Sequence, residues 1–384
     1  MRLPAWAEWN ESVADTPWTV GVEEEVMLLD PVTWMPASRS EEVLAALDED
    51  IVEHTAAETH GSAVELATDP HTTVAEVVAQ LARLREGLAA GLGRLGLAGG
   101  VAGTHPLARW QDTEVSPGAR YQFLYASMRE LARREPTFAL HVHVAVPDAD
   151  AGLRALNGVR ERLPILLALS ANSPFWQGRD SGLASARTPV FATFPRTGPP
   201  RHFPTYAAYV EAIDVLLRTD AIPEPTFVWW DVRLQPALGT LELRIMDAQT
   251  RVTDTAGLAA LVQALVRHEA LEGSAEPPSA REVLEENRFL AARDGMQAKL
   301  VDAEAGGRRV ALREVLHDLL DACAPHAEAL GASAELDSLG ELCERPGNVR
   351  QRALAARPGG LPGVVRGLSA DFVSSRRKPA ALRA

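Results

Sequence analysis

The sequence predicts an α+β fold around a mainly antiparallel sheet, on three observations. Strand-like segments come as neighbouring pairs or stand apart across long helical stretches. These segments alternate apolar residues with ionisable ones, so each has one face for a core and one for chemistry. No period of about 20–50 residues repeats, which excludes solenoids and propellers. Residues 1–375 are expected to form a single domain, and 376–384 a basic, disordered tail.

The elements follow in order. Thr19 to Leu29 reads as a strand, stopped by Asp30-Pro31. Ala63 to Thr68 is a second strand. Val74, Val77, Val78, Leu81, Leu84, Leu88, Leu92 and Leu95 then fall at helical spacing. Phe138 to Val146 is strand-like, and Pro147-Asp148 ends it. Phe227 to Leu234 and Thr240 to Met246 read as a hairpin turning at Pro236 to Gly239. Leu258, Leu261, Val262, Leu265 and Val266 give another amphipathic helix. Beyond Ala280 the pattern is mostly helical, broken at Gly359, Gly360, Pro362 and Gly363. The Gly- and Pro-rich stretch from Ser173 to Pro204 is long for a plain connection, and such loops are usually functional.

Bulk properties narrow the function. The chain is 46% hydrophobic and 23% charged, the composition of a soluble globular protein. A net charge of −14 argues against a general nucleic-acid binder, whose phosphate contacts need a basic face. Cys323 and Cys343 are too few for a disulfide framework or a Cys-rich zinc site, and they fit a reducing, cytoplasmic compartment. Met1 to Asn10 lacks the pattern of a secretory leader, and the longest apolar run, Leu163 to Ala171, is too short to span a bilayer. Lys299 and Lys378 are the only lysines, so no phosphate-loop lysine is available. Gly91, Gly93 and Gly96 spell G-x-G-x-x-G but follow no strand, which excludes a dinucleotide fingerprint.

The strand faces carry the chemistry. Glu23 and Glu25 share a face, as do His141 and His143, Asp231 and Arg233, and Glu242 and Arg244; Glu65 adds a fifth strand. A solvated face would explain any one strand, but it predicts a scatter of Thr, Lys and Ser. Clustered carboxylates and imidazoles are costly unless a cation neutralises them. Magnesium or manganese, with hard oxygen ligands and tolerance of an imidazole, would do so. The arginines suit a polyphosphate sharing those metals, as in phosphoryl transfer from a nucleotide. Glu24 points to the apolar face and does not fit this picture. An alternative reads His141-Val142-His143 as the H-x-H pair of a metal-dependent amide hydrolase.

Ordered motifs from about residue 17 to 370 resemble one family. They are Thr19 to Glu25, Val64 to Thr68, Gly103-Thr104-His105-Pro106, His141 to Val144, Ser170 to Trp176 with Gly178-Arg179-Asp180, Trp229 to Arg233, Gly239 to Asp247, and Glu286-Asn287-Arg288 with Ala292-Arg293. This pattern is similar to the type 2 glutamate–cysteine ligases, the YbdK-like carboxylate–amine ligases. The resemblance implies a glutamine-synthetase-like catalytic domain, a curved sheet with helices on its convex side. It implies ATP and Mg2+ as cofactors, amino acid or amine substrates, and a homodimer. It makes Glu23, Glu25, Glu65, His141 and Glu242 metal ligands, with His143 beside them. Arg244 would meet the transferred phosphoryl group, and Arg187 and Arg233 a carboxylate or phosphate. Asn172 and Ser173 would line the nucleotide side. Ala139, Ala145 and Phe289 depart from the family pattern, which often has glycine, glycine and tryptophan there.

Overall fold

The computed structural model describes residues 3–133, 136–273, 279–302 and 307–373. The expected tail, 376–384, lies outside the described residues. Seven strands form one sheet: β1 (Val20–Leu29), β2 (Thr55–Ala57), β3 (Ala63–Ala67), β4 (Ala98–Gly100), β5 (Ala139–Ala145), β6 (Val232–Gln235) and β7 (Thr240–Asp247). Their order is β6-β7-β5-β1-β3-β2, with β4 paired to the C-terminal half of β1, and every pairing is antiparallel. The predicted fold class is therefore met.

Three long helices, α1 (Val74–Arg94), α2 (Ala149–Ser170) and α3 (Val252–Leu271), cover one face of this sheet. The cause is the alternation along the strands. Val20, Val22, Val26 and Leu28 of β1, Leu140, Val142 and Val144 of β5, and Leu241, Leu243 and Ile245 of β7 are all buried. Each such side chain contributes roughly 1.5–3 kcal/mol by leaving water. α1 starts where a capping box fixes it, with Thr73 and Glu76 satisfying each other's backbone N–H groups. α2 starts at Asp148, whose carboxylate accepts from Ala151 N at 2.8 Å. No helix of the described residues is long and apolar enough to cross a membrane.

Some sequence expectations are refined. The run Phe227 to Leu234 is not one strand: Trp229–Trp230 pairs in parallel with Thr197–Gly198, the chain breaks at Asp231, and only Val232–Gln235 joins the main sheet. Asp231 leaves the shared face and pairs with Arg288, Nε to Oδ2 at 2.6 Å. The turn into β7 is the expected one, a 3-10 turn at Pro236–Leu238 closed by Gly239 at φ 64°, a left-handed value that suits glycine. The glycines near residue 360 do not end the helical region, because a helix runs from Gly360 to Val373.

Glu24 is resolved as well. It is fully buried on the helix side of the sheet and meets Arg85 of α1. Arg85 Nε donates to Glu24 Oε1 at 2.7 Å, and its Nη2 also bonds that carboxylate. The same guanidinium donates to Thr250 O at 2.8 Å and to Gln249 O at 2.7 Å. One arginine thus ties β1, α1 and the entry to α3 together. Breaking a buried pair strands the other charge, at about 3–5 kcal/mol. Arg85→Met is expected to lose stability on that scale in urea unfolding. Glu24→Leu with Arg85→Met should recover only part of it, since the Gln249 and Thr250 carbonyls still lack a donor.

Two buried histidines set an acid limit. His105 Nε2 faces Trp34 O at 3.0 Å, while its Nδ1 accepts from Leu107 N and Ala108 N at 3.1 and 3.0 Å. His60 Nε2 faces Ala132 O at 3.0 Å. Burial pushes both down from 6.5 to about 4. The folded state therefore binds fewer protons than the unfolded one between these values. The stability they contribute is complete above pH 6.5 and is lost as pH falls toward 4, each histidine costing about 1.4 kcal/mol for every pH unit crossed. Urea midpoints should fall across that window, and His60→Gln should make the fall shallower.

Candidate active site

The antiparallel registers bring the ionisable face together. Glu23 lies opposite His141, Glu25 opposite Glu65, His143 opposite Glu242, and Glu242 opposite Arg233. Above this patch is a cavity of about 540 Å³. Glu23, Glu25, Glu65, His141, His143, Arg187, Arg233, Glu242 and Arg244 all line it.

At its centre His141 Nδ1 is 3.0 Å from Glu23 Oε2, and its Nε2 is 4.0 Å from Glu25 Oε1. His143 Nε2 is 3.3 Å from Glu23 Oε1 but has no hydrogen-bond geometry to any group among the described residues. Burial alone would raise the Glu23 carboxyl, yet the His141 hydrogen bond and the nearness of both imidazoles hold it well below its usual range. Burial, followed by Arg244, pushes His141 down to about 4, so it is a neutral imidazole at pH 7.

The neighbouring carboxyls behave oppositely. Burial and then Glu58 push Glu25 up to about 8. Glu65 is raised by burial and by Glu23, and Glu58 is raised by burial. Three acids beside an ionised Glu23 are short of positive charge. Donor atoms of Glu25, Glu65 and His141 lie within 4.8 Å of one another, and so do those of Glu23, His141 and Glu242. Oxygen-rich sets with one imidazole fit a hard divalent cation.

The arginines divide into two kinds. Arg233 is spent on the fold: Nε and Nη2 donate to Glu242 at 2.5 and 3.1 Å, and Nη1 to Thr226 O and Val228 O at 2.8 and 2.9 Å. Glu242 also accepts from Gln235 Nε2 at 2.6 Å and pairs with Arg244. With donors on both oxygens, Glu242 would join a cation only by giving one up. Arg187 and Arg244 each keep a buried Nε without a hydrogen-bond partner among the described residues. Arg187 is held by Ile245 O and Arg244 O at 3.0 and 3.1 Å.

The Gly- and Pro-rich stretch reaches the cavity through a short helix, Arg187–Phe191, supplying Arg187, Phe191 and Phe194. Asn172 and Ser173 do not line the cavity. They are fully buried behind it, bonded to Asp247. Glu58, Arg120 and Tyr121 also line it, although the strand periodicity does not point to them. Glu58 follows the short β2, seven residues before Glu65, and that acid pair is its only sequence signal. Arg120 stacks on Phe227, 5.0 Å from its centroid, at an end walled by Phe194, Phe227 and Trp229. Of the family departures, Ala139 places its N–H 2.9 Å from Glu25 Oε2, whereas Phe289 is 45% exposed and outside the cavity.

Known proteins share both the sequence pattern and the fold. The pattern of "Glutamate-cysteine ligase family 2" matches residues 19–374. Two proteins of Rubrobacter xylanophilus, provisionally named glutamate–cysteine ligase 2-1 and 2-3, are 38% and 41% identical. Each alignment covers 92% of this chain, with 94% and 96% of the relatives. A glutamate–cysteine ligase from Francisella tularensis, solved with AMP, superimposes with a TM-score of 0.69. At 14% identity, and covering 92% of this chain and 89% of that one, it establishes likeness of fold. A bifunctional glutathione synthetase from Pasteurella multocida gives 0.63 at 15% identity, over 92% of this chain and 52% of its own. The chain belongs to glutamate–cysteine ligase family 2, and it is an enzyme of the carboxylate–amine ligase class.

Proposed function

We propose that this enzyme is ATP- and Mg2+-dependent and joins a carboxylate to an amine through an acyl phosphate. By default the acid is the γ-carboxyl of glutamate and the amine is cysteine. One observation carries the reading: an under-neutralised acid cluster lies beside two buried arginines with free N–H groups in one cavity.

Glu23, Glu25, Glu65 and His141 would hold the metal, with Glu58 beside them and Glu242 as a conditional member. Magnesium, when bound, supplies charge neutralisation at the phosphates. The chain's own groups do the rest. Neutral His141 offers a lone pair, and ionised Glu23 fixes its orientation. Arg244 and Arg187 present N–H donors to the anionic groups, stabilising charge that spreads during phosphoryl transfer. Arg233 holds Glu242, which in turn aims Arg244. The carboxylate oxygen attacks the γ-phosphorus as the bond to ADP breaks, leaving an acyl phosphate. The amine then attacks its carbonyl, phosphate leaves, and the nitrogen loses a proton to give the amide. Phe191, Phe194 and Trp229 wall the cavity against water, which would waste that intermediate.

The direct test is phosphate release by purified protein with Mg2+, ATP, glutamate and cysteine. Release that requires both an acid and an amine supports the reading, and a screen of other pairs fixes the substrates. Cleavage of γ-glutamyl amides without ATP would replace it with hydrolysis. Arg244→Gln should lower kcat by roughly 10²–10³ with the fold intact. Mg2+ binding should release protons, because Glu25 at about 8 is largely protonated at pH 7. Calorimetry in buffers of different ionisation enthalpy should show this, with affinity rising between pH 7 and 9.

A further inference from the structure

Asp247 ends β7, is fully buried and does not line the cavity. Its carboxylate nevertheless gathers three separate motifs. Oδ2 accepts from Asn172 N at 2.8 Å and from Ser173 Oγ at 2.6 Å. Oδ1 accepts from Ser185 Oγ at 2.9 Å and lies 4.0 Å from Arg187 Nη1. Ser173 Oγ also accepts from Arg187 N at 3.1 Å. Gly103 leaves the room, since a Cβ there would stand 2.5 Å from Asp247 Cγ.

Apart from the Asn172 N–H, the groups this carboxylate meets lead to Arg187. The two serines fix the backbone at the start of the Arg187–Phe191 helix, and the charge faces the guanidinium. Burial pushes Arg187 down, and Asp247, ahead of Glu25, pushes it back up. The guanidinium also donates to two carbonyls, Ile245 O and Arg244 O, on the same strand as Asp247, and lies 5.8 Å from the Phe191 ring centroid. We infer that Asp247 is a positioning residue: through Ser173, Ser185 and the charge at 4.0 Å it fixes Arg187 in the cavity, so that Arg187 can hold an anionic substrate group. This rests on the ligase reading for the identity of that group, but the latch itself is a statement about the fold.

Two measurements decide it. In the first, hydrogen exchange of Asp247→Asn is compared with that of the unsubstituted protein. Besides the directly bonded Asn172 amide, the inference expects faster exchange at residues 187–194, with β5 still protected. Unchanged exchange there, or an increase spread evenly over the sheet, overturns it. This arm needs no activity and stands even if the ligase reading fails. The second is a double-mutant cycle on glutamate- and cysteine-dependent ATP turnover. Asp247→Asn should lose on the order of ten- to a hundredfold, the scale expected for a misplaced side chain. Combined with Arg187→Gln it should lose no more than Arg187→Gln alone. Additive losses would mean that Asp247 acts elsewhere, and the inference fails. If Asp247→Asn does not fold, Ser173→Ala and Ser185→Ala carry both measurements with the same expected signs.

Discussion

The register between β1 and β5 is the constraint on which the site depends. It sets Glu23 against His141 and leaves Glu24 on the other side of the sheet. A slip of one residue would exchange the two faces of a strand. Glu23 and Glu25 would then enter the helix layer and Val22 the cavity. The register is secured from both sides: aliphatic side chains on the core face want burial, and Glu24 has a specific partner in Arg85.

The cavity is electrostatically lopsided. On one side Glu242 sits among Arg233, Arg244 and Gln235, and its carboxyl lies well below its ordinary value despite burial. On the other, Glu25, Glu58 and Glu65 are raised. His141 and His143 stand between. One half is satisfied by the protein's own charges and the other is not. A polyanion carrying divalent cations matches that division, placing positive charge over the acids and negative charge near the arginines.

Much of this is legible in the sequence because β-strands repeat every second residue. Glu23, Glu25, His141, His143, Glu242 and Arg244 need only that rule, and all reach one cavity. What is not legible has physical causes. β2 and β4 are three residues each, too short to show a period. α2 is buried on nearly every side and contains Pro164, so it lacks a clear amphipathic stripe. Glu58 lies on a connection, where side-chain direction follows no period. The pairing of Asp231 with Arg288 and the burial of Asn172 and Ser173 depend on contacts between distant segments, which spacing along the chain does not encode.

The run Glu23-Glu24-Glu25 places three identical side chains in two environments. Its middle member anchors the strand to α1 on the face away from the cavity. A genetic screen for lost activity would therefore recover Arg85 beside residues that touch substrate, although the whole thickness of the sheet separates them. Rank in such a screen would report mechanical coupling as readily as chemistry, and only purified protein would tell the two apart.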